Sequence, residues 1–235
     1  MFGYSLNYLI DMEHAVIVDV EATPTRLTKE VDAAEAMIER THDRFALKPG
    51  HAAGDVAYGT GEMLGWLVER GIDPHTPVRD QSEVVAEGKF TRADFAYAKD
   101  RDLYICPGGK ELKTSGTVHD GGAIKYIAKR SDCGQCPLKP KCTTGRERRI
   151  QRDVNQEARD YTQALMETEA YGRSRTRRKR IETLFGDVKH YMALTRIRLR
   201  GLSGARDEFL LTATVQNLKR LVKLAAIPPP QPIFA

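Results

Sequence analysis

The sequence predicts an α/β layer fold interrupted by a small β-rich insertion, and three observations carry that expectation. Short β-branched and aromatic runs alternate with helical spacings over residues 1–79. Glycines then multiply, at 88, 108, 109, 116, 121, 122 and 134, in a stretch with little helical periodicity that holds all four cysteines. Helical patterns return after residue 150 and dominate the remainder. The expected organisation is therefore an N-terminal core part (1–79), a cysteine-containing insertion (80–150), a C-terminal helical part of the core (151–225) and a Pro-rich tail (226–235).

YSLNYLI and AVIVDVEA read as two strands joined by a hairpin turn at the polar DMEH. A helix is expected over 32–45, where Ala33, Ala36, Met37 and Arg40 recur at spacings of three and four. HAAGDVAY predicts a short strand leading to Asp55, and GTGEMLGWLVERG a helix closed by Gly71 in the manner of a C-terminal cap, with Trp66 as its core anchor. TPVRD reads as one more strand. Beyond the insertion, helices are expected over 155–169, 175–190 and 208–225. The last carries Leu211, Val215, Leu218 and Val222 on one stripe, which predicts a helix packed into the core. IPPPQPIFA cannot continue it.

A content of 41% hydrophobic and 29% charged residues belongs to a globular protein and excludes a disordered one. No apolar run approaches the roughly 18 residues of a membrane span. The N-terminus lacks the charged-then-apolar pattern of a signal peptide, so the expected place is the cytoplasm with no membrane partner. The net charge of +5 is unevenly spread: from Tyr171 to Arg200 ten Lys and Arg residues face only Glu182 and Asp187. The six histidines form no close ligand pair, and the residues after Gly59 and Gly61 lack the Lys-Ser/Thr ending of a phosphate loop.

Glu182 raises the central question. At 100° per residue Arg178, Glu182, Gly186 and Lys189 share a narrow arc, beside an apolar stripe of Ile181, Leu184, Phe185, Val188 and Met192. One reading is an i,i+4 pair on a solvated face. The other is an acid inside a phosphate-binding face, where a carboxylate makes sense if it holds a divalent cation. Metal-assisted phosphoryl chemistry needs acids converging from separate elements, and Asp55 at a strand end is the second candidate. The spacing Cys133-x2-Cys136-x5-Cys142, with Cys106 on a preceding hairpin, suits either one tetrahedral Zn²⁺ or four reduced thiols in a small core. Lys139, Lys141, Arg146, Arg148 and Arg149 give the insertion a basic surface able to touch DNA.

These residues resemble a known family. GDVAYGTGEML resembles the second-acid motif of bacterial insertion-sequence transposases of the DDE class, in which an Asp at a strand end precedes Tyr-Gly and a helix. RKRIETLFGDVKH resembles their third-acid helix, whose pattern is Tyr, two residues, Arg, three residues, Glu, six residues, Lys. Arg178, Glu182 and Lys189 match those gaps, and Arg175 stands where the Tyr is expected. GYSLNYLIDMEHAVIVDVEATPT resembles the paired strands after the first acid; YICPGGKELK and CGQCPLKPKCTTGRERRIQRD resemble the cysteine-containing insertion of one branch.

The resemblance implies an RNase H-like fold, a mixed sheet flanked by helices, with Asp55 and Glu182 as catalytic ligands of Mg²⁺ or Mn²⁺. It implies Arg178 and Lys189, with Arg175 and Arg180, on double-stranded DNA, both element ends and target, held by two subunits. In the family the first acid lies on a strand ahead of the pair with which this chain opens. Asp11 and Asp19 fall instead in the region of the second and third strands, and Asp19 is expected to be structural. The expectation is thus a transposase fold incomplete at its first strand, a cleavage and strand-transfer fragment inactive alone. The alternative is a catalytically dead DNA-binding module derived from one; a zinc-dependent regulator ranks third.

Overall fold

The computed structural model describes residues 3–25, 27–78, 88–190, 194 and 196–226, the side chains of residues 27, 28, 180, 187, 189 and 190 excepted. Two compact units emerge: Met1–Gly59 with Leu67–Pro77 and Thr162–Ala235, and Thr60–Trp66 with Val78–Tyr161.

In the first unit, β1 (Tyr4–Asp11) and β2 (Val16–Pro24) form the expected antiparallel hairpin. The turn closes because the Asp11 carboxylate accepts from the backbone N–H groups of Glu13 and His14, at 3.0 and 3.2 Å. A bulge opposite Leu9 and Ile10 shifts the register by one residue. That shift explains why Ile17, Val20 and Ala22 reach the same core although strict alternation would split them. α1 (Leu27–Phe45) begins before the 32–45 span read from its spacing, and Glu30 in its first turn suits the positive helix end. Its Arg40 joins the helix to β2, donating to Asp19 at 2.7 Å and to Glu21 at 2.9 Å. Asp19 is therefore structural, as expected, and its bond is the main reason the Arg40 guanidinium sits above its ordinary pKa.

β3 (His51–Ala53) and β4 (Asp73–His75) pair in parallel, which requires a crossover; α2 (Gly61–Glu69) provides it. Gly71, at φ +63°, ends α2 by donating to Val68, while Ile72 donates to Leu67 and is buried, the paired bonds of a Schellman cap. The strand expected over TPVRD lies earlier, at Asp73–His75, because β3 turns away at Gly54 and leaves nothing to pair beyond His75. Arg79 and Asp80 of that motif lie outside the described residues.

α6 (Glu169–His190) and α7 (Gly201–Ala225) complete this unit, both starting earlier than their sequence signals. α7 overturns one expectation. Leu211, Val215, Leu218 and Val222 are 67, 44, 56 and 69% exposed, and the covered face is Gly204, Ala205, Phe209, Thr212, Ala213 and Gln216. Small residues allow α7 to lie close on β2, and the Asn217 amide fixes its rotation by donating to Ile17 O at 2.8 Å and accepting from Ile17 N at 2.9 Å. Residues 227–235, nearly all of the Pro-rich tail, lie outside the described ones.

The second unit is a five-stranded antiparallel sheet in sequence order: β5 (Ala96–Ala98), β6 (Leu103–Ile105), β7 (Glu111–His119), β8 (Ala123–Ala128) and β9 (Arg149–Asp153). Gly121 and Gly122, both with φ near +75°, make the β7–β8 turn. Phe95, Tyr104, Leu112, Tyr126, Ala128 and Ile150 form its core. The Tyr97 and Tyr126 hydroxyls both donate to Asp102, at 2.8 and 2.5 Å. α3 (Arg130–Gly134) and α4 (Lys139–Cys142) lie between β8 and β9; α5 (Gln156–Leu165) follows. Gly61 belongs to packing here: a Cβ on it would fall 2.3 Å from the Asp153 carboxylate. The α/β class expected from the sequence stands, with strands running in mixed directions and helices beside them.

Candidate active site

Asp55 lies just beyond β3, exposed, as the N-cap of a single 3₁₀ turn at Val56–Tyr58. Its Oδ1 accepts from Ala57 N at 2.8 Å, which fixes the carboxylate. The surrounding motif has a packing reason. A Cβ at Gly59 would lie 2.3 Å from the Pro77 carbonyl oxygen, and one at Gly54 would lie 2.9 Å from the Tyr58 ring. Only glycines let the turn close on both sides. The Tyr58 hydroxyl is pushed up to about 12 by burial, then by the charges of Glu30 and Asp55.

α6 is pinned to these strands through its second turn. Buried His75, on β4, has its Nδ1 2.6 Å from the Ser174 hydroxyl, stacks on His51 at 4.7 Å and meets the Tyr171 ring edge-on at 5.7 Å. Burial, then the neighbouring His51, holds the His75 imidazole below its ordinary pKa, against a smaller opposing pull from Asp73. None of the six histidines stands out in the sequence. The signal that could find this contact is Ser174, Arg178 and Glu182 at a spacing of four, one stripe along the helix.

Along that stripe Arg178 does the joining. Its Nη1 donates to the carbonyl of Gly54, the residue before Asp55, and its Nε stands 3.5 Å from Glu182 Oε1. The Nε contact is an ion pair and no more, for that buried nitrogen has no hydrogen-bond partner among the described residues. With Glu182 62% exposed, the pair contributes about 0.5 kcal/mol or less to stability. What it does is geometric: one guanidinium ties the Gly54–Asp55 loop to Glu182. Arg175 and Lys179 are exposed beside them; the side chains of Arg180 and Lys189 lie outside the described residues. Ile181 and Val188 are buried as the apolar stripe requires, and Phe185 stacks on Tyr8 at 5.3 Å; Met192 lies outside the described residues.

The exposed carboxylates of Asp55 and Glu182 are hard oxygen donors of the kind Mg²⁺ accepts, and that ion needs only one or two of them beside substrate oxygens. Among the described residues no group of three or more His, Cys, Asp or Glu side chains stands ready to hold a metal. In the second unit, Cys106, Cys133, Cys136 and Cys142 line one small cavity. Burial, above all, pushes the Cys142 thiol up, and Arg148 pulls it the other way.

Among the described residues no helix is long and apolar enough to cross a membrane. The α/β core with helices beside its strands and an acid at a strand end defines the RNase H-like class. A family model described as Transposase DDE domain matches residues 105–222, half of the chain, and the chain belongs to that family. The match takes in all four cysteines, Arg178, Glu182 and Lys189; Asp55 lies ahead of it. No curated protein and no solved structure matches the chain. Membership brings DNA as partner and divalent ions as the family's general cofactor.

Proposed function

We propose that the chain supplies the second and third acids of a DDE transposase, acting on double-stranded DNA at insertion-sequence ends and at target sites. The observation that carries this reading is the Arg178 bridge between the Gly54–Asp55 loop and Glu182. A solvated helix face has no need of a guanidinium, its Nε buried, reaching from it to a strand end.

In this reading Asp55 and Glu182 would hold Mg²⁺ or Mn²⁺, which would supply charge stabilisation to the attacking and leaving oxygens of an in-line displacement. Asp11 and Asp19 are not counted among these acids, since Asp11 closes its own hairpin turn and Asp19 is held by Arg40. Asp55 is aimed through its bond from Ala57 N. Arg175, Arg180 and Lys189 bind phosphates, while Arg178 keeps the two acids in register. In the first step a water oxygen attacks the phosphorus, the bond to the 3′ oxygen breaks, and the proton ends on that oxygen, freeing a 3′-OH. In the second step the 3′-OH gives up its proton as its oxygen attacks a target phosphorus; the target's bond to its own 3′ oxygen breaks, and that oxygen takes up a proton. Two subunits hold the two ends.

Glu182→Gln removes a charge without changing shape. In the transposase supplied with all three acids it is expected to abolish Mn²⁺-dependent nicking of end-sequence DNA while leaving binding in a mobility-shift assay unchanged. Retained nicking would sink the assignment. Salt-sensitive binding with no nicking even when all three acids are supplied would favour the DNA-binding module instead.

A further inference from the structure

We infer that Cys106, Cys133, Cys136 and Cys142 form a structural zinc site that fastens the 130–148 segment to the five-stranded sheet. The inference is independent of the proposed DNA chemistry. The four residues come from separate places: Cys106 from the turn between β6 and β7, Cys133 from α3, Cys136 from the loop after it, and Cys142 from the end of α4. All four line one cavity of about 30 Å³, a volume on the scale of an ion or one or two waters.

The Cys106 turn is shaped as a knuckle. Cys106 N–H donates to Lys110 O at 2.8 Å, and Gly109 N–H donates to Cys106 O at 2.8 Å. The Lys110 N–H also reaches back to Cys106 Sγ at 3.3 Å. Gly108 borders two of the sulfurs: a Cβ there would lie 3.6 Å from Cys106 Sγ and 3.7 Å from Cys136 Sγ.

Charge agrees with the geometry. Lys110, Lys139 and Arg148 line the cavity with Asp132, an excess of two positive charges. Zn²⁺ with four thiolates carries two negative charges, which that excess offsets. The local fold also needs a fastening. α3 and α4 are five and four residues long, neither has a buried residue, and helices so short do not persist unaided. What the segment offers the sheet core is Cys133 and Cys142. The sulfurs line the cavity without standing at metal-ligand separation. Loading would draw them in to about 2.3 Å from zinc, with four protons released.

The test is metal analysis of the full chain, purified under reducing conditions, followed by Co²⁺ titration of the chelated protein. The expected results are one zinc per chain and tetrahedral thiolate-to-cobalt bands saturating at one equivalent. Zinc should also slow alkylation of all four thiols by at least tenfold. Cys106→Ser and Cys136→Ser should each lose the retained zinc. Absence of both zinc and cobalt bands would overturn the site, as would two stable disulfides, or zinc retained undiminished by Cys106→Ser. The cobalt spectrum is read on the unaltered chain, so a variant that fails to fold does not shelter the inference.

Discussion

Arg178 is a planar fork used on two targets at once, and that makes its replacement informative. Lysine keeps the charge but presents one ammonium, which cannot serve both the Gly54 carbonyl and Glu182. In the complete transposase, Arg178→Lys is therefore expected to leave DNA affinity within about twofold while nicking falls on the order of 100-fold, the scale of a small misplacement of catalytic groups. An arginine that only touched phosphate would show the reverse, weakened binding with nicking restored at saturating DNA. His75 gives a second test at this scale. Its folded pKa is lowered, so below about pH 6.5 the unfolded chain takes up a proton that the folded imidazole refuses. The stability it contributes is complete above that pH and is lost as pH falls toward the folded value. The groups facing it are His51, Asp73, Ser174 and Tyr171. Urea midpoints between pH 5 and 8 should fall on acidification, and His75→Gln should flatten that fall.

At the scale of elements, α7 shows what a sequence can and cannot say. Periodicity correctly puts Leu211, Val215, Leu218 and Val222 on one face; it cannot say which face is covered. The covered face is chosen by Ala205, Ala213 and Gly204, which permit close approach, and by Asn217, whose amide matches the backbone N–H and C=O of Ile17. Small and polar residues carry little hydrophobic signal, so in the sequence they lose to four aliphatics. Phe209→Ala is expected to cost about 3–5 kcal/mol, as for a core aromatic. The pair Leu211→Glu and Leu218→Glu should cost about 0.5 kcal/mol or less each. Equal losses in urea titrations would restore the packed-stripe reading. The hairpin, the crossover helix and Asp55 beyond a strand end are legible because turn chemistry is local: Gly71 and the DMEH run declare themselves. The β3–β4 pair is harder to read, since the end of β4 is set by where β3 departs, 22 residues earlier in the Ala53–His75 register.

For the whole molecule the balance of charge matters less than its placement. A net +5 on 235 residues is modest, yet exposed Arg175, Lys179, Arg196, Arg198 and Arg200 all come from one stretch of chain. Sequence alone reveals that clustering. The tie between the Asp55 loop and the Glu182 helix becomes visible only in three dimensions, because 124 residues separate Gly54 from Arg178. Each cation that neutralises a phosphate releases counterions, so affinity for DNA should fall with salt at a slope of about 0.9 per contact on logarithmic axes. Arg175→Ala is expected to lower that slope by about one and to weaken binding to end-sequence and random duplexes alike. Lys29→Ala removes an exposed cation already paired with Asp32 at 3.2 Å on α1 and should leave the slope unchanged. Fluorescence anisotropy across a NaCl series measures both. Equal slopes for Arg175→Ala and Lys29→Ala would mean that net charge alone attracts the DNA, and the cation-rich helix would then have no claim to be the surface that holds it.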